Sequence, residues 1–376
     1  MSLPASLSMP AGGFFKLARI IVGVMGDAYG HLSLALALAE QAPQHEYLFL
    51  GAGTVREVVK MGFSFLEVPL PATFYANNKV DIAATIRNGS KVLLGRNPSV
   101  KRIMGEIERF SPCLAITAYE YFTAVIAREL GIMCINLDNQ HFLTKLRFEI
   151  PRGQMLSRFL YALPLKLMFS KADHYFISSF YAFPPRDPKT TDVFPPVLRK
   201  DLRDVRPAEG EHVFVYQTSP TFTKLVPELE KTGNRYTVYG LGEKPGSRNI
   251  VFRPASRSGL LRDLATCRYV ICNGGHNLIS EALFLGKPIF SYPIHMAYEQ
   301  FFNAHMVRKL NYGDYSLDAV PRISCLARFE EKLAEYRGNI GKKGFCGNQQ
   351  IAAKLEAKLA EAEIKSRTEA NQFETA

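Results

Sequence analysis

Residues 269–303 read YVICNGGHNLISEALFLGKPIFSYPIHMAYEQFFN, and the spacing within this stretch decides the fold. Tyr269 to Cys272 is a short apolar run, the pattern of a strand buried in a parallel sheet. It stops at Asn273-Gly274-Gly275, where two glycines let the backbone turn sharply and approach a ligand closely. Leu278, Ile279, Ala282, Leu283 and Leu285 then recur at helical spacing, so a helix begins near Asn277. Gly286-Lys287-Pro288 ends that helix, and Ile289 to Tyr292 is a second apolar strand. Strand, glycine turn and helix start together form an anion site. The first N–H groups of a helix have no partner within it, and the helix dipole favours negative charge.

Two acids follow the turn. Glu281 lies one helical turn on, within reach of a ribose that hangs from a phosphate at the helix start. Glu299-Gln300 follows Pro293, at the end of the second strand or the start of the next helix. A carboxylate only accepts hydrogen bonds and an amide does both, a pairing that suits the vicinal hydroxyls of a hexose. Taken singly, each feature fits an ordinary Rossmann-like turn with solvated acids. The order of phosphate turn, ribose acid and sugar pair selects a nucleotide-sugar site.

The segment resembles the donor-binding signature of GT-B glycosyltransferases, shared by plant and bacterial UDP-glycosyltransferases and the N-acetylglucosaminyltransferase of peptidoglycan precursor synthesis. It is most similar to a group of predicted bacterial and archaeal glycosyltransferases with an NGGH-x-LISEAL core and a later EQ-x-x-NA, here Glu299 to Ala304. The resemblance covers most of the chain and is strongest over residues 20–40, 130–145 and 265–310. It implies an α/β protein of two doubly wound Rossmann-like domains facing across a cleft. It also implies transfer of a hexose from a nucleotide sugar, UDP-linked, to a hydroxyl acceptor with inversion. Neither a metal nor a cofactor beyond the nucleotide sugar is implied. Asn273, Gly274 and Gly275, with His276 and Asn277, take the phosphates, Glu281 the ribose, and Glu299 and Gln300 the sugar. Thr218 and Ser219, in the loop after the strand Val213 to Tyr216, are candidate hydroxyl donors to the diphosphate, although the family's extra glycines are missing there. Arg253 stands where the families bind the nucleotide base. Many plant members carry His in place of Asn273, which donates a hydrogen bond but has no charge.

The length of 376 residues fits two domains, and 47% hydrophobic content supplies their cores. We divide the chain into an acceptor-side domain (1–185), a proline-rich linker (186–210), a nucleotide-sugar domain (211–340) and a C-terminal helix and tail (341–376). The net charge of +11 directs attention to nucleic acid, a membrane surface or an anionic substrate. No nucleic-acid module is recognisable, so we expect no nucleic-acid partner. The six cysteines form no CxxC and read as buried free thiols of a reducing cytoplasm, with no disulfide frame or zinc site. No apolar run reaches the ~18–20 residues that span a bilayer. We expect a cytoplasmic protein, with the inner face of an anionic membrane as a candidate peripheral contact.

The N-terminal half opens on another strand, Arg19 to Val24, then the loop Met25-Gly26-Asp27-Ala28-Tyr29-Gly30-His31 and a helix. The loop is not GxGxxG and no acid closes the next strand, which disfavours a nicotinamide site. In many inverting GT-B members a His at the place of His31, after a glycine here represented by Gly30, is the general base. An imidazole titrating near neutral pH suits that task. His31 also fits as a helix cap or an acceptor-binding group, and Asp27 as its orienter or as the base itself. Glu120, Asp138, Asn139, Gln140 and His141 sit at carboxyl ends of strands, where open α/β sheets bind ligands. They are acceptor-side candidates, with His141 a second candidate base. A polar loop satisfying its own backbone is the alternative.

Residues 145–171 carry Lys145, Arg147, Arg152, Arg158, Lys166 and Lys171 against Glu149 alone, with apolar residues between. The favoured reading is a core helix kinked at Pro164 with its basic residues reaching outward. The other is a segment that docks on an anionic bilayer or receives a lipid acceptor. Two rivals to the transferase remain open: a UDP-sugar 2-epimerase of the same fold and a basic nucleic-acid-binding protein.

Overall fold

Continuous apolar runs form the strands, as a sheet covered on both faces requires. The computed structural model describes residues 17–26, 29–69, 75–76, 79–81, 87, 101–169, 171–217, 222–254, 256–318 and 320–374. In the first half the strands are β1 (Arg19–Val24), β2 (Glu46–Gly51), β3 (Ser64–Glu67), β4 (Leu114–Ala118), β5 (Met133–Asp138) and β6 (His174–Ser178). A seventh, β7 (Thr191–Phe194), adds to β6 in parallel. This corrects the expectation that residues 186–210 are only linker. Prolines flank the four residues TDVF without entering them, so their N–H groups stay free to pair. The sheet order is β3-β2-β1-β4-β5-β6-β7. A small antiparallel pair, Tyr75–Ala76 with Lys79–Val80, stands apart from it.

The second sheet holds β8 (His212–Tyr216), β9 (Arg235–Tyr239), β10 (Ile250–Phe252), β11 (Val270–Cys272), β12 (Ile289–Ser291) and β13 (Gly313–Tyr315). Its order is β10-β9-β8-β11-β12-β13, and every pairing is parallel. Both sheets therefore change winding direction beside their first strand, β1 next to β4 and β8 next to β11. Ligands of doubly wound sheets bind outside the carboxyl ends at such a switch point.

Seven helices matter to the site: α1 (Tyr29–Ala39), α2 (Phe122–Glu129), α3 (Met155–Pro164), α4 (Arg257–Thr266), α5 (His276–Phe284), α6 (Tyr298–Lys309) and α7 (Asn348–Glu374). Gly23 lets α2 press onto β1, since a Cβ there would lie 1.8 Å from Thr123 Oγ1. Across the two halves Phe142 stacks on Phe302 at 4.6 Å, with Phe148 and Tyr181 edge-on to the same ring. One apolar seam thus joins the domains. The C-terminal helix α7 returns to the first domain, where Ile351, Leu355 and Leu359 bury among the side chains of β1 and α1.

Two further expectations are corrected. All six cysteines are free, but Cys113 and Cys346 are exposed and Cys325 is half-buried. Cys113 precedes β4, at the open entry edge of the sheet, rather than lying within it. Helix α3 is not a core helix. Only Ser157 of its ten residues is buried. Met155, Leu156, Phe159 and Leu163 are exposed instead. Pro164 ends α3, and a wider turn at Leu165–Phe169 then returns Leu165 and Phe169 to the core. A proline lacks the N–H that would continue the helical ladder.

Candidate functional site

The turn after β11 is fastened on three sides. Asn273 Nδ2 donates to Tyr292 O at 3.1 Å. Asn303 Nδ2 donates to Gly274 O at 3.1 Å, and Tyr181 OH donates to Asn303 Oδ1 at 3.2 Å. Gly274 has φ +92°, and a Cβ there would come within 2.5 Å of Gln300 O. Only glycine meets both demands.

Helix α5 begins here with Gly275 as its N-cap. His276 is buried, its ring stacked on Phe180 at 5.5 Å and edge-on to Tyr181. Burial pushes its imidazole down to about 4, so it is neutral at physiological pH. Among the described residues its Nε2 has no hydrogen-bond partner, nor does Ser280 Oγ one turn on. Such orphaned buried atoms are few in native proteins and call for an explanation. His276 and Ser280 line one small cavity with Ser33, Ser178 and Glu281. Asn277 Nδ2 donates to Gly30 O, so the starts of α1 and α5 meet between the domains.

Glu281 Oε1 accepts from Arg257 Nη1 at 2.9 Å. Arg257 also grips both oxygens of Asp201, at 3.0 and 3.1 Å. Burial raises the Glu281 carboxyl above its usual range, with Arg257 opposing. Arg253 lies apart, its Nε 3.6 Å from Asp263. Thr218, Ser219 and Asp27 lie outside the described residues.

His31 sits half-buried in the first turn of α1. Its ring stacks on Tyr119 at 5.2 Å, and Tyr119 stacks on Phe169 at 4.4 Å. Tyr119 follows β4 with φ +58°, a strained conformation for an aromatic residue and one that concentrates at functional sites. Glu299 lies in the first turn of α6. Its Oε2 accepts from Gln140 Nε2 at 3.1 Å and from Tyr161 OH at 2.9 Å. Burial raises the Glu299 carboxyl, against the pull of Tyr161 and of His31 nearby. Gln140 and Glu299, read from sequence as acceptor-side and sugar-side groups, therefore form one cluster with Tyr161. Gln300 turns inward, and its Oε1 accepts from Ile294 N at 3.0 Å.

The other strand-end residues serve the scaffold. Glu120 accepts from the N–H groups of Phe122 and Thr123 at 2.7 and 2.8 Å and so closes the start of α2. His141 and Asp138 are wholly buried, with Nδ1 2.7 Å from Asp138 Oδ2. Burial works against ionisation of Asp138. The His141 ring and the hydrogen bonds from His141 and Asn136 outweigh it, holding the carboxyl below its usual range. Asn139 Nδ2 donates to Ser178 O at 3.1 Å. Sequence reasoning missed Arg257, Tyr161 and Tyr119. Each acts on a partner far away in the chain, and no local pattern marks it.

A family model described as Glycosyl transferase family 1 matches residues 18–329. The chain belongs to glycosyl transferase family 1. An uncharacterized glycosyltransferase of Methanosarcina acetivorans is 26% identical over 92% of this chain and 98% of the relative. Among solved glycosyltransferases, the spinosyn forosaminyltransferase SpnP superposes with a TM-score of 0.62 at 16% identity, covering 92% of this chain and 100% of its own. Phytolacca americana UGT2, complexed with UDP-2-fluoro-glucose and pterostilbene, gives 0.63 at 14% identity, covering 91% and 99%. At these identities the structural likeness speaks for the fold: this glycosyltransferase has the two-domain GT-B architecture, as the sequence implied.

Proposed function

We propose that this glycosyltransferase moves a hexose from a UDP-sugar to a hydroxyl acceptor, with inversion and without a metal. The observation that carries the reading is the start of α5. Among the described residues His276 Nε2 and Ser280 Oγ have no hydrogen-bond partner, and they line one small cavity with Ser33 of α1 in the other domain, beside the first N–H groups of a helix, which have no partner within it. A diphosphate accepts from the helix amides, from Ser280 Oγ and from the tautomer of the neutral His276 ring that carries its proton on Nε2, and the helix end stabilises the charge it gains as it leaves. Glu281 then lies where a ribose follows the phosphates, and Glu299 and Gln140 lie on the side of His31.

In this reading the acceptor oxygen attacks the anomeric carbon while the bond from that carbon to the phosphate oxygen breaks. UDP departs with the bonding electron pair, and His31 takes the acceptor proton. We favour His31 over His141 as the base because His31 is half-exposed between the domains whereas His141 is sealed in the core. The stack on Tyr119 and Phe169 fixes the ring plane. Charge stabilisation by α5 stands in for a metal, so a chelator should leave turnover unchanged.

A thermal-shift screen of nucleotide sugars tests the reading. A ligand at 100 times its dissociation constant should add about 2.7 kcal/mol of stability. Glu281→Ala should abolish that shift for UDP-sugars. Incubation with a UDP-sugar and no acceptor is the second arm, where appearance of the 2-epimer overturns the transferase reading.

A further inference from the structure

Helix α3 presents an apolar face that nothing in the described structure covers. Met155, Leu156, Phe159 and Leu163 lie on one side of the helix, at spacings of one, three and four residues, and are 77%, 65%, 60% and 42% exposed. Leu167, in the turn that follows, is 65% exposed and continues the same patch. Scattered exposed leucines need no explanation, but five large apolar side chains grouped within 13 residues of chain do. Arg152, Lys166 and Lys171 are exposed around them. Glu149 is the one acid between 145 and 171, and Lys309 pairs with it at 3.5 Å.

We propose that this face docks on an anionic lipid bilayer, with the apolar side chains in the acyl boundary and the cations at the headgroups. A helix with an apolar face, basic flanks and no transmembrane length has the makeup of an interfacial segment. Among the described residues no helix is long and apolar enough to cross a membrane. Charge also decides between occupants. A second copy of the chain laid face to face would set cations against cations, whereas an anionic surface neutralises them.

The position of the helix gives the docking a purpose. Its other side carries Tyr161, whose hydroxyl donates to Glu299. The turn after it ends in Phe169, which stacks on Tyr119 and through it on His31. One side chain, Tyr161, thus separates the helix from the proposed sugar acid, and two stacked rings, Phe169 and Tyr119, separate the turn from the proposed base. A hydroxyl on the headgroup side of a docked membrane lipid would be presented to the side of the protein that carries His31 and Glu299, so the structure assigns a lipid-borne acceptor. That consequence rests on the transferase reading; the docking does not.

The test is sedimentation of the full chain with vesicles of phosphatidylcholine alone or with 30% phosphatidylglycerol, at low and high salt. Binding is expected only to the anionic vesicles and should weaken with salt. Each lysine or arginine near such a surface is worth about fivefold in partitioning. Replacing Lys166 and Lys171 by Gln should therefore weaken binding by about 25-fold. The triple variant Met155→Ser, Leu156→Ser, Phe159→Ser should abolish binding while its melting temperature and its thermal shift with UDP stay as in the parent, because these side chains are exposed. Parent protein that ignores anionic vesicles, or a triple variant that binds them equally well, overturns the docking. A concentration-dependent dimer of the parent that the triple variant loses, without vesicle binding, assigns the face to self-association and overturns it too. If the variant loses vesicle binding but glycosylates a hydroxyl lipid in vesicles as fast as the parent does, docking survives and the assignment of delivery fails.

Discussion

Gln140 Nε2 donates to Glu299 Oε2 over 3.1 Å, tying the carboxyl end of β5 to the first turn of α6. One residue belongs to each domain, so the contact reports how closely they are drawn together. It also fills one of the acceptor sites of a buried carboxylate. Among the described residues, removing Gln140 leaves Glu299 with the hydrogen bond from Tyr161.

Gln140→Ala should therefore destabilise the chain by about 1–3 kcal/mol, the cost of a hydrogen bond to a charged buried group. The single variants and the double variant with Glu299→Gln form a cycle, and their coupling should be about 1 kcal/mol by denaturant unfolding. Zero coupling would mean that the two side chains do not meet in solution. Under the transferase reading Glu299→Gln also raises KM for the UDP-sugar, whereas a purely structural link leaves KM unchanged.

His31→Gln tests the base. The amide keeps hydrogen-bonding capacity but cannot take a proton. The expected loss in kcat is about 10²–10⁴-fold, the usual worth of a positioned base. Thermal stabilisation by UDP should persist, since the donor groups lie on α5. A variant with unaltered kcat shows that His31 only binds the acceptor. The same substitution at His141 should act mainly on stability, because it breaks a wholly buried pair with Asp138.

Much of this site is legible in the sequence, and the limits have physical causes. The run from Tyr269 to Cys272, the glycine turn and the helical spacing after it depend on neighbours within four residues, and each forms where expected. The two-domain architecture follows from repeating strand and helix patterns. What was lost are contacts between distant segments. Arg257 reaches Asp201 and Glu281 across 56 and 24 residues of chain, and nothing next to Arg257 announces either. Helix α3 was misread because an apolar stripe looks the same whether protein or another phase covers it. A polar residue at a strand end is equally ambiguous. Glu120 caps α2 and Gln140 crosses to Glu299, yet both occupy the same kind of position.

Arg257→Ala should expose the cost of a buried acid left alone. Glu281 and Asp201 both lose a guanidinium partner, and burial already raises the Glu281 carboxyl. With Arg257 itself one-third exposed, the loss should be about 2 kcal/mol rather than the larger value of a sealed pair. Arg257→Lys keeps the charge but not the two-pronged grip on Asp201, so it should recover only part of it. Denaturation midpoints of the three proteins rank the effect. Equal midpoints would show that the network contributes nothing.

His276 should make stability depend on pH. Its folded pKa, about 4, is below the ordinary 6.5 because burial disfavours the imidazolium. The unfolded chain therefore binds a proton between these values and the folded chain does not. Stability from this group is fully present above pH 6.5 and is lost as pH falls towards 4, by about 3 kcal/mol in all. His276→Phe preserves the stack on Phe180 and removes the titration. Unfolding free energies measured at half-unit steps from pH 4 to 7 should fall more steeply in the parent than in the variant, by up to one proton's worth of slope. Parallel curves would place His276 in contact with water, and the orphaned nitrogen at the start of α5 would then need no ligand to explain it.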